Sequence, residues 1–480
     1  MPSPAIESDV AHAVLQWFDN SSQCQKKIPI SEWTVLAGIV LQTRSPPSST
    51  PQVVPTDTFR VLTAATGNKC LGRRDLNANG LVVNDCHAEV LARRALLRYL
   101  YIEALLCKEN KPESNEQSIF EYHSTSRRLV LKPQHSLHLF ISEAPCGDAA
   151  IYELRQEVVD QLVQQRTAGC NTTDDETGNQ VPYRSELRVT GAKRPRHRDT
   201  LLPDKRFTQT AGVARVKSGR SDLPLDKQTL SMSCSDKLAK WNALGLQGSL
   251  LLQWFEPVFL SSICVSRDDK AMSVVKQERA LRRAVCTRLK ERGALTKRAQ
   301  LSSCNVHVLS DVVSDVCPFS RRRTCNRTPS SLALVWTTQE SFWTRGEKQK
   351  PTPESMNEAE FAREFFHSFE IEFLMAATGF KQGAKKASKM DQAAMERVAS
   401  RLSKRNLLRA FHHVLGRKLL SNTDYLQLKQ NVPLDVPLPA APSTQSVPTA
   451  VIASNDRRKQ FFVAFSDWIG VPTTFKQFKL

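Results

Sequence analysis

Apolar and polar positions alternate along this chain in a way that predicts an α/β core interrupted by stretches of different character. Residues 11–19 and 33–42 place their apolar positions at helical or strand spacing. The run Arg44-Ser45-Pro46-Pro47-Ser48-Ser49-Thr50-Pro51 can only be a loop. Val61 to Thr66 reads as a strand. After Asp85, which suits a helix cap, Ala88, Leu91, Ala95, Tyr99 and Ile102 recur at helical spacing. His138-Leu139-Phe140-Ile141-Ser142 reads as a short buried strand running into Pro145-Cys146, and Ile151, Leu154, Val158 and Leu162 predict a second amphipathic helix behind it. Strand, turn and helix, used twice, describe an α/β sandwich.

The pattern then lapses. Residues 167–228 read as a flexible insert, because Arg184 to Arg220 carries eleven Lys or Arg against three acids and few aromatics. Within it, Lys193-Arg194-Pro195-Arg196-His197-Arg198 suits a nuclear signal, an RNA-touching arm or a solvated loop. Order returns at Ser231, where Leu238 and Trp241 give a helical face that Gly245 ends. Ser249–Phe255 and Val258–Val265 read as two strands around Pro257. Residues 266–330 read as a second basic, helical insert (Gln277 to Arg298), and Ser331–Trp336 as a strand. The C-terminal third is predicted helical over 361–373, 390–420 and 456–468, with a Pro/Ala/Ser-rich linker at 433–448. No internal repeat is visible.

Composition narrows the function classes. At 480 residues the chain could hold one large domain or two to three ordinary ones, and 40% hydrophobic residues suit a globular core. No apolar run approaches the roughly 20 residues of a membrane span. The start, Met1-Pro2-Ser3-Pro4-Ala5-Ile6-Glu7, lacks the basic and apolar regions of a secretory signal. Twelve cysteines without repeated spacing read as reduced intracellular thiols, which implies the cytoplasm, the nucleus or both. A net charge of +19 and a pI near 9.5 point to a polyanionic partner such as nucleic acid.

The candidate chemistry lies in three short motifs. His87 and Glu89 stand in Asn84-Asp85-Cys86-His87-Ala88-Glu89-Val90; Pro145-Cys146-Gly147 and Ser233-Cys234-Ser235-Asp236-Lys237 follow. One imidazole and two thiols make a three-ligand zinc site with its fourth position open to water, which is the catalytic form of such sites. Glu89, not needed as a ligand, is placed to move protons. That constellation is the signature of zinc-dependent nucleobase deaminases. Those enzymes usually close with Cys-x-x-Cys; here Gly147, Asp148 and Ala149 follow Cys146, so the second thiol comes from Cys234, 88 residues on. Two positions apart inside a helix, His87 and Glu89 would diverge by about 200°. Both reach one metal only if His87 lies at the helix entrance, where the dipole also favours anionic oxygen.

At these residues the chain resembles the catalytic domain of the adenosine deaminases acting on RNA, a family that includes a tRNA-specific branch. The likeness runs from about Trp33 to the C-terminus: Thr34–Val40, the Asn84–Arg94 block, Glu143-Ala144-Pro145-Cys146-Gly147 and Met232–Leu251. The resemblance implies one deaminase domain over 1–480 with a cytidine-deaminase-like three-layer α/β sandwich, a mixed sheet with helices on both faces and a helical C-terminal extension. It implies His87, Cys146 and Cys234 as zinc ligands, Glu89 as proton shuttle, and conversion of adenosine to inosine. It also implies an enclosed inositol hexakisphosphate, which would answer the many cations on otherwise apolar elements. Its ligands would be Arg93, Arg94, Lys237 and Trp241, then Asn84, Lys69, Ser249, Lys404, Tyr425 and Lys429. Lys240 stands where an arginine is often seen, and of the C-terminal contacts only Trp468 matches, since Gly470 and Val471 replace a charged pair.

The family's editors of double-stranded RNA carry separate RNA-binding modules, for which the 86 residues before His87 leave no room. A tRNA suits a lone basic catalytic domain, and the resemblance implies the adenosine immediately 3′ of the anticodon. No obligate protein partner is evident. Other readings are an editor of other structured RNA, a non-catalytic RNA-binding protein stabilised by zinc and inositol phosphate, and a free nucleoside or cytidine deaminase. The carboxylate of Glu89 disfavours the second of these, and charge and size the last.

Overall fold

In the computed structural model the described residues are 6–45, 57–109, 118–152, 211–217, 224–268, 273–294, 304–310, 319, 327–338, 356–385, 387–416, 424–431 and 449–480. A seven-stranded sheet holds the centre: β1 (Leu36–Thr43), β2 (Thr58–Thr66), β3 (His135–Ile141), β4 (Ser262–Val265), β5 (Asn305–Val308), β6 (Leu332–Thr337) and β7 (Glu372–Met375). Their spatial order is β5-β4-β3-β1-β2-β6-β7. β3, β4 and β5 run parallel, and every other neighbouring pair is antiparallel.

The pleat sorts the strands' side chains onto two cores. Leu36 and Val40 of β1, with Val61, Ala64 and Phe140, pack on Val10, Val14 and Phe18 of helix α1 (Ile6–Asp19). Gly38 lets α1 come this close, because a Cβ there would lie 2.7 Å from Val14 Cγ2. Ala37, Ile39 and Leu41 face the other way, with Leu62, Ala65, Leu137 and Leu139, onto α2 (Ala88–Glu109). Ala88, Leu91, Ala92, Ala95, Leu96, Tyr99, Leu100 and Ile102 of α2 are at most 1% exposed. A helix buried on all sides needs cover on the face turned from the sheet. Helix α3 (Cys234–Leu244) and helix α4 (Val274–Arg282) stand on the same side of the sheet as α2. The outer cover comes from α5 (Lys404–Leu415), while α6 (Tyr425–Asn431) packs on the turn at Gly248–Leu251 and α7 (Thr449–Ala464) on α3. The result is a mixed sheet with helices on both faces and a helical C-terminal extension, as the resemblance implies.

Several boundaries differ from those read in the sequence. Asp85 is no helix cap: Asp85–His87 pairs as a short ladder with Asn68–Cys70, and α2 starts at Ala88. Ser249–Phe255 is not a strand but a helical turn at Gly248–Leu251 with further turns after it, so its apolar residues reflect burial and not extension. The helix read over 361–373 ends instead after a π turn at Arg363–His367, and β7 begins at Glu372, before the predicted end. The first insert is shorter than 167–228, since Ala214, Arg215, Val216 and Lys217 are buried and Val216 bridges Met232. The second, 266–330, holds β5 and α4, whose Gln277, Ala280 and Leu281 are core residues. The helix predicted over Ile151–Leu162 and the linker at 433–448 lie outside the described residues, apart from Ile151 and Tyr152.

A buried polar cluster sits on the α1 face of the sheet. His138 Nδ1 lies 2.7 Å from Ser262 Oγ, and its Nε2 lies 2.9 Å from Gln42 Oε1 and 3.1 Å from Ser136 Oγ. Burial, with His307 and Arg44 nearby, pushes the His138 imidazole down to about 4. Between that value and the ordinary 6.5 the unfolded chain binds the proton more readily, so stability is full above 6.5 and falls as pH drops toward 4. We expect a loss on the order of 3 kcal/mol by pH 4 from this residue. Thermal melts across that window would check it: a His138→Gln variant should lose much of the slope.

Candidate active site and metal centre

His87 is the last residue of the short ladder and immediately precedes α2, so the chain enters the helix with the imidazole at its N-terminal end. The Ala88 N–H donates to Gly67 O at 3.0 Å, and the His87 N–H to Asp85 Oδ1 at 3.1 Å. Gly67 must be glycine: its φ is 149°, and a Cβ would lie 1.9 Å from Cys86 O. Cys146 follows β3 in a loop that turns at Gly147, φ 104°, where a Cβ would collide with Ser233 Oγ at 2.2 Å. Cys234 opens α3, with Ser233 as N-cap accepting from the Asp236 N–H. Two helix starts thus flank the site, those of α2 and α3. Only a single 3-10 turn at Asp148–Ala150 follows Cys146 among the described residues.

The three ligand atoms, one each from His87, Cys146 and Cys234, lie within 4.8 Å of one another. Cys234 Sγ is 3.5 Å from His87 Nδ1, and the Cys234 N–H donates to Cys146 Sγ at 3.4 Å. Glu89, one residue into α2 and 3% exposed, borders the same 750 Å³ cavity as His87 and Cys146. Two thiols and an imidazole on one side of a cavity, with a carboxylate beside them, match a three-ligand zinc site with an open position. The cavity can hold a planar base next to the ligands.

Two residues that the sequence reading did not assign complete the electrostatics. Lys217, 5% exposed, donates to Cys234 Sγ at 3.0 Å and to Asp85 Oδ1 at 2.9 Å. Asp85 also pairs with Lys237 and accepts from Ser231 Oγ at 2.9 Å. Burial opposes the charge on Asp85, yet Lys217 and Lys237 hold its carboxyl well below the usual range. Burial likewise opposes the charge on Lys217, but Asp85 and the neighbouring thiols hold its ammonium well above it. The hydrogen bond shared with Cys234 holds the Cys146 thiol low, while burial pushes Cys234 up. The pair therefore titrates together, and the ammonium of Lys217 favours thiolate on both. Lys217 was hidden by its basic, loop-like surroundings; its one signal is the apolar Val213-Ala214 and Val216 beside it.

On the far side of Asp85 lies a second cavity, of 410 Å³. Asn84, Arg93, Arg94, Lys237, Lys240, Trp241, Ser249, Lys404, Lys429 and Trp468 all line it. Tyr425 stands just behind, stacked on Phe478, with Lys429 Nζ 5.1 Å from its ring centre. Lys69 is elsewhere: it lines the first cavity, on the strand paired with Cys86. Arg457, Arg458 and Lys476 join the second cavity unannounced, brought by α7 and the C-terminal segment, while Gly470 and Val471 border it without charge. Asp85 is its one carboxylate among the described lining residues. Burial first, then the neighbouring cations, pushes Lys404 and Lys429 down to about 7 and Arg93 to about 9. Arg93 Nε is buried without a hydrogen-bond partner, although the guanidinium lies 5.1 Å from the Trp241 ring centre.

Residues 63–433 match the family model of the adenosine-deaminase (editase) domain. The chain belongs to that family. Among relatives of this editase domain, the chain is 33% identical over 296 residues to the tRNA-specific adenosine deaminase 1 of Drosophila melanogaster, covering 61% of this chain and 63% of the relative. It is 26% identical to the protein of the same name in Macaca fascicularis, over 95% of both chains. The double-stranded RNA-specific adenosine deaminase of Mus musculus is 31% identical over 50% of this chain but only 18% of its own length. The chain thus spans about three-fifths of the fly relative and under a fifth of the mouse one. Among the described residues, no helix is long and apolar enough to cross a membrane.

The ligand assignment has a direct check. Replacing Cys234 with alanine removes one of the three donors and the anion that Lys217 faces. We expect metal content to fall below a tenth of a zinc per chain by elemental analysis, as ~10-fold or greater losses follow from damage even outside the ligand set. Full zinc occupancy in that variant would remove Cys234 from the set.

Proposed function

We propose that this chain deaminates adenosine to inosine in tRNA by zinc-assisted hydrolysis, at the adenosine next to the anticodon. The observation that carries the reading is the convergence of His87, Cys146 and Cys234 within 4.8 Å, with His87, Cys146 and the buried Glu89 lining one cavity. These three residues would hold a zinc ion, which would supply a water activated for attack at neutral pH. Glu89 accepts the water proton as the oxygen adds to C6 of the base, then delivers a proton to the ring nitrogen. The exocyclic amine leaves as ammonia, so one water is consumed for each inosine formed. The adenosine must be turned out of its stack to reach the cavity, which costs less in an anticodon loop than in a duplex. The names of the fly and macaque relatives support tRNA as the substrate class, and so does the charge of +19.

In the same reading the second cavity binds inositol hexakisphosphate, with Arg93, Arg94, Lys240, Lys404 and Lys429 as its counter-charges. The fit rests on this chain's own groups: half-buried cations crowded round a cavity whose one described carboxylate, Asp85, is already paired with Lys217 and Lys237, and a guanidinium nitrogen lacking a partner. Bound polyphosphate would remove the cost of crowding these charges. Mass spectrometry of acid-extracted protein is expected to find an inositol polyphosphate. Arg94→Glu, which sets a carboxylate among those groups, is expected to yield insoluble or zinc-poor protein.

The decisive experiment for the activity is to incubate purified protein with total tRNA from a strain lacking it and map adenosine-to-inosine changes by sequencing. Inosine beside the anticodon is the expected result. Inosine only in duplex RNA would move the reading to an editor of other structured RNA, and none in either would leave a non-catalytic binding protein.

A further inference from the structure

Beside the mouth of the metal cavity, two short 3-10 turns, Arg73–Asp75 and Leu225–Lys227, are locked to each other. The Arg73 N–H donates across to Gln228 O at 2.9 Å, and the second turn is itself closed by the Lys227 N–H donating to Pro224 O at 3.0 Å. The backbones are so close that a Cβ on Gly72 would lie 2.5 Å from Lys227 O. Gly72, Asp75 and Lys227 line the cavity. Arg73, Arg74 and Lys227 are exposed. Asp75 pairs with Arg74 at 3.8 Å, which leaves Arg73 and Lys227 in no ion pair with any described residue. Nothing in the fold needs these two charges, yet the backbone that carries them is fixed.

We propose that Arg73 and Lys227 form a phosphate clamp that grips the RNA backbone next to the nucleotide entering the cavity. The inference rests on the deaminase reading above: a nucleotide turned out of its strand stays covalently joined on both sides. Its flanking phosphates must therefore lie at the rim of the cavity that receives its base. Arginine offers a planar fork matched to phosphate oxygens, and lysine a point charge beside it. Because the two turns are joined before RNA arrives, little ordering is left for binding to supply. Such contacts position the strand without reading its sequence, so the clamp serves any RNA whose adenosine reaches the cavity.

The test uses the full-length protein as purified, with zinc in place, and the tRNA that the wild type deaminates. In the double variant Arg73→Ala/Lys227→Ala we expect KM for tRNA to rise roughly ten-fold at ~50 mM salt, and the slope of log Kd against log salt to fall by about two. Turnover at saturating tRNA should stay within about two-fold of wild type, since the chemistry is untouched. Arg73→Lys/Lys227→Arg, which keeps both charges, should restore most of the affinity, and Lys290→Ala, an exposed cation outside both cavities, should change neither value. Unchanged KM and salt slope in the double variant, with an active wild type, would overturn the clamp and leave the deaminase reading intact. A wild type that makes no inosine in any RNA would overturn both.

Discussion

Replacing Glu89 with alanine is expected to abolish deamination while the protein still folds and binds its zinc. The side chain is buried beside the ligands without being one of them, so its removal takes away the proton carrier and leaves His87, Cys146 and Cys234 in place. Positioned acid–base catalysis is worth roughly 10²–10⁴-fold. In the mechanism proposed above one carboxylate serves both the water and the ring nitrogen, which puts the expected loss at the upper end of that span. Zinc content by elemental analysis and an unshifted melting temperature would separate a chemical defect from a structural one. Turnover within ten-fold of wild type would assign the proton transfer to another group.

The second large effect should come from Asp85, which no catalytic argument requires. Its carboxylate joins Lys217 on the metal side to Lys237 on the cation-cavity side, and both side chains are largely buried. Removing one partner of a buried ion pair strands the other, at a cost of about 3–5 kcal/mol. Asp85→Ala should therefore lower the melting temperature sharply, and it should also impair metal binding, because Lys217 contacts Cys234. In a double variant that also carries Lys217→Met the more deeply buried of the two stranded charges is gone, so part of the lost stability should return. A cycle in which the two changes simply add would show that the contact carries no coupling. The depressed carboxyl of Asp85 adds stability present above its unfolded pKa and lost as pH falls below it, so the wild type should gain acid sensitivity that the double variant lacks.

How far the site was legible follows from what each residue does locally. His87, Glu89, Cys146 and Cys234 were readable because their types are rare in combination, and because glycine, proline and serine mark the turns that present them. The strands β2, β3 and β6 were readable because burial on two faces enriches them in apolar residues, whereas the stretch of β1 fitted helical or strand spacing alike. Composition misled where a short ordered piece sits inside a basic stretch: Lys217 looks like one more solvated lysine until Val216 is seen bridged to Met232. The same holds for α4, whose charged outer face hides Gln277 and Leu281. Asp85 was read as a cap because aspartate before an apolar helix usually is one; only tertiary packing sets two lysines against it. Lys69 went to the wrong cavity because its neighbours in sequence, Asn68 and Cys70, say nothing of which side of the Asp85–His87 ladder their side chains take.

The full enclosure of α2 sets the order in which the molecule can be assembled. Its sheet-facing side finds partners as soon as β1 and β2 exist, but its opposite side is covered by α5, some three hundred positions later on the ribosome. The cation cavity closes later still, since Arg458 and Lys476 belong to its wall. For most of its synthesis, then, the nascent chain carries His87 at the entrance of a half-naked apolar helix, next to arginines whose cavity is still unfinished. Such a chain depends on protection from association until its last helices emerge. In the reading proposed above, polyanion binding would come at the end of folding, once Arg458 and Lys476 complete a cavity begun on a helix made near the beginning.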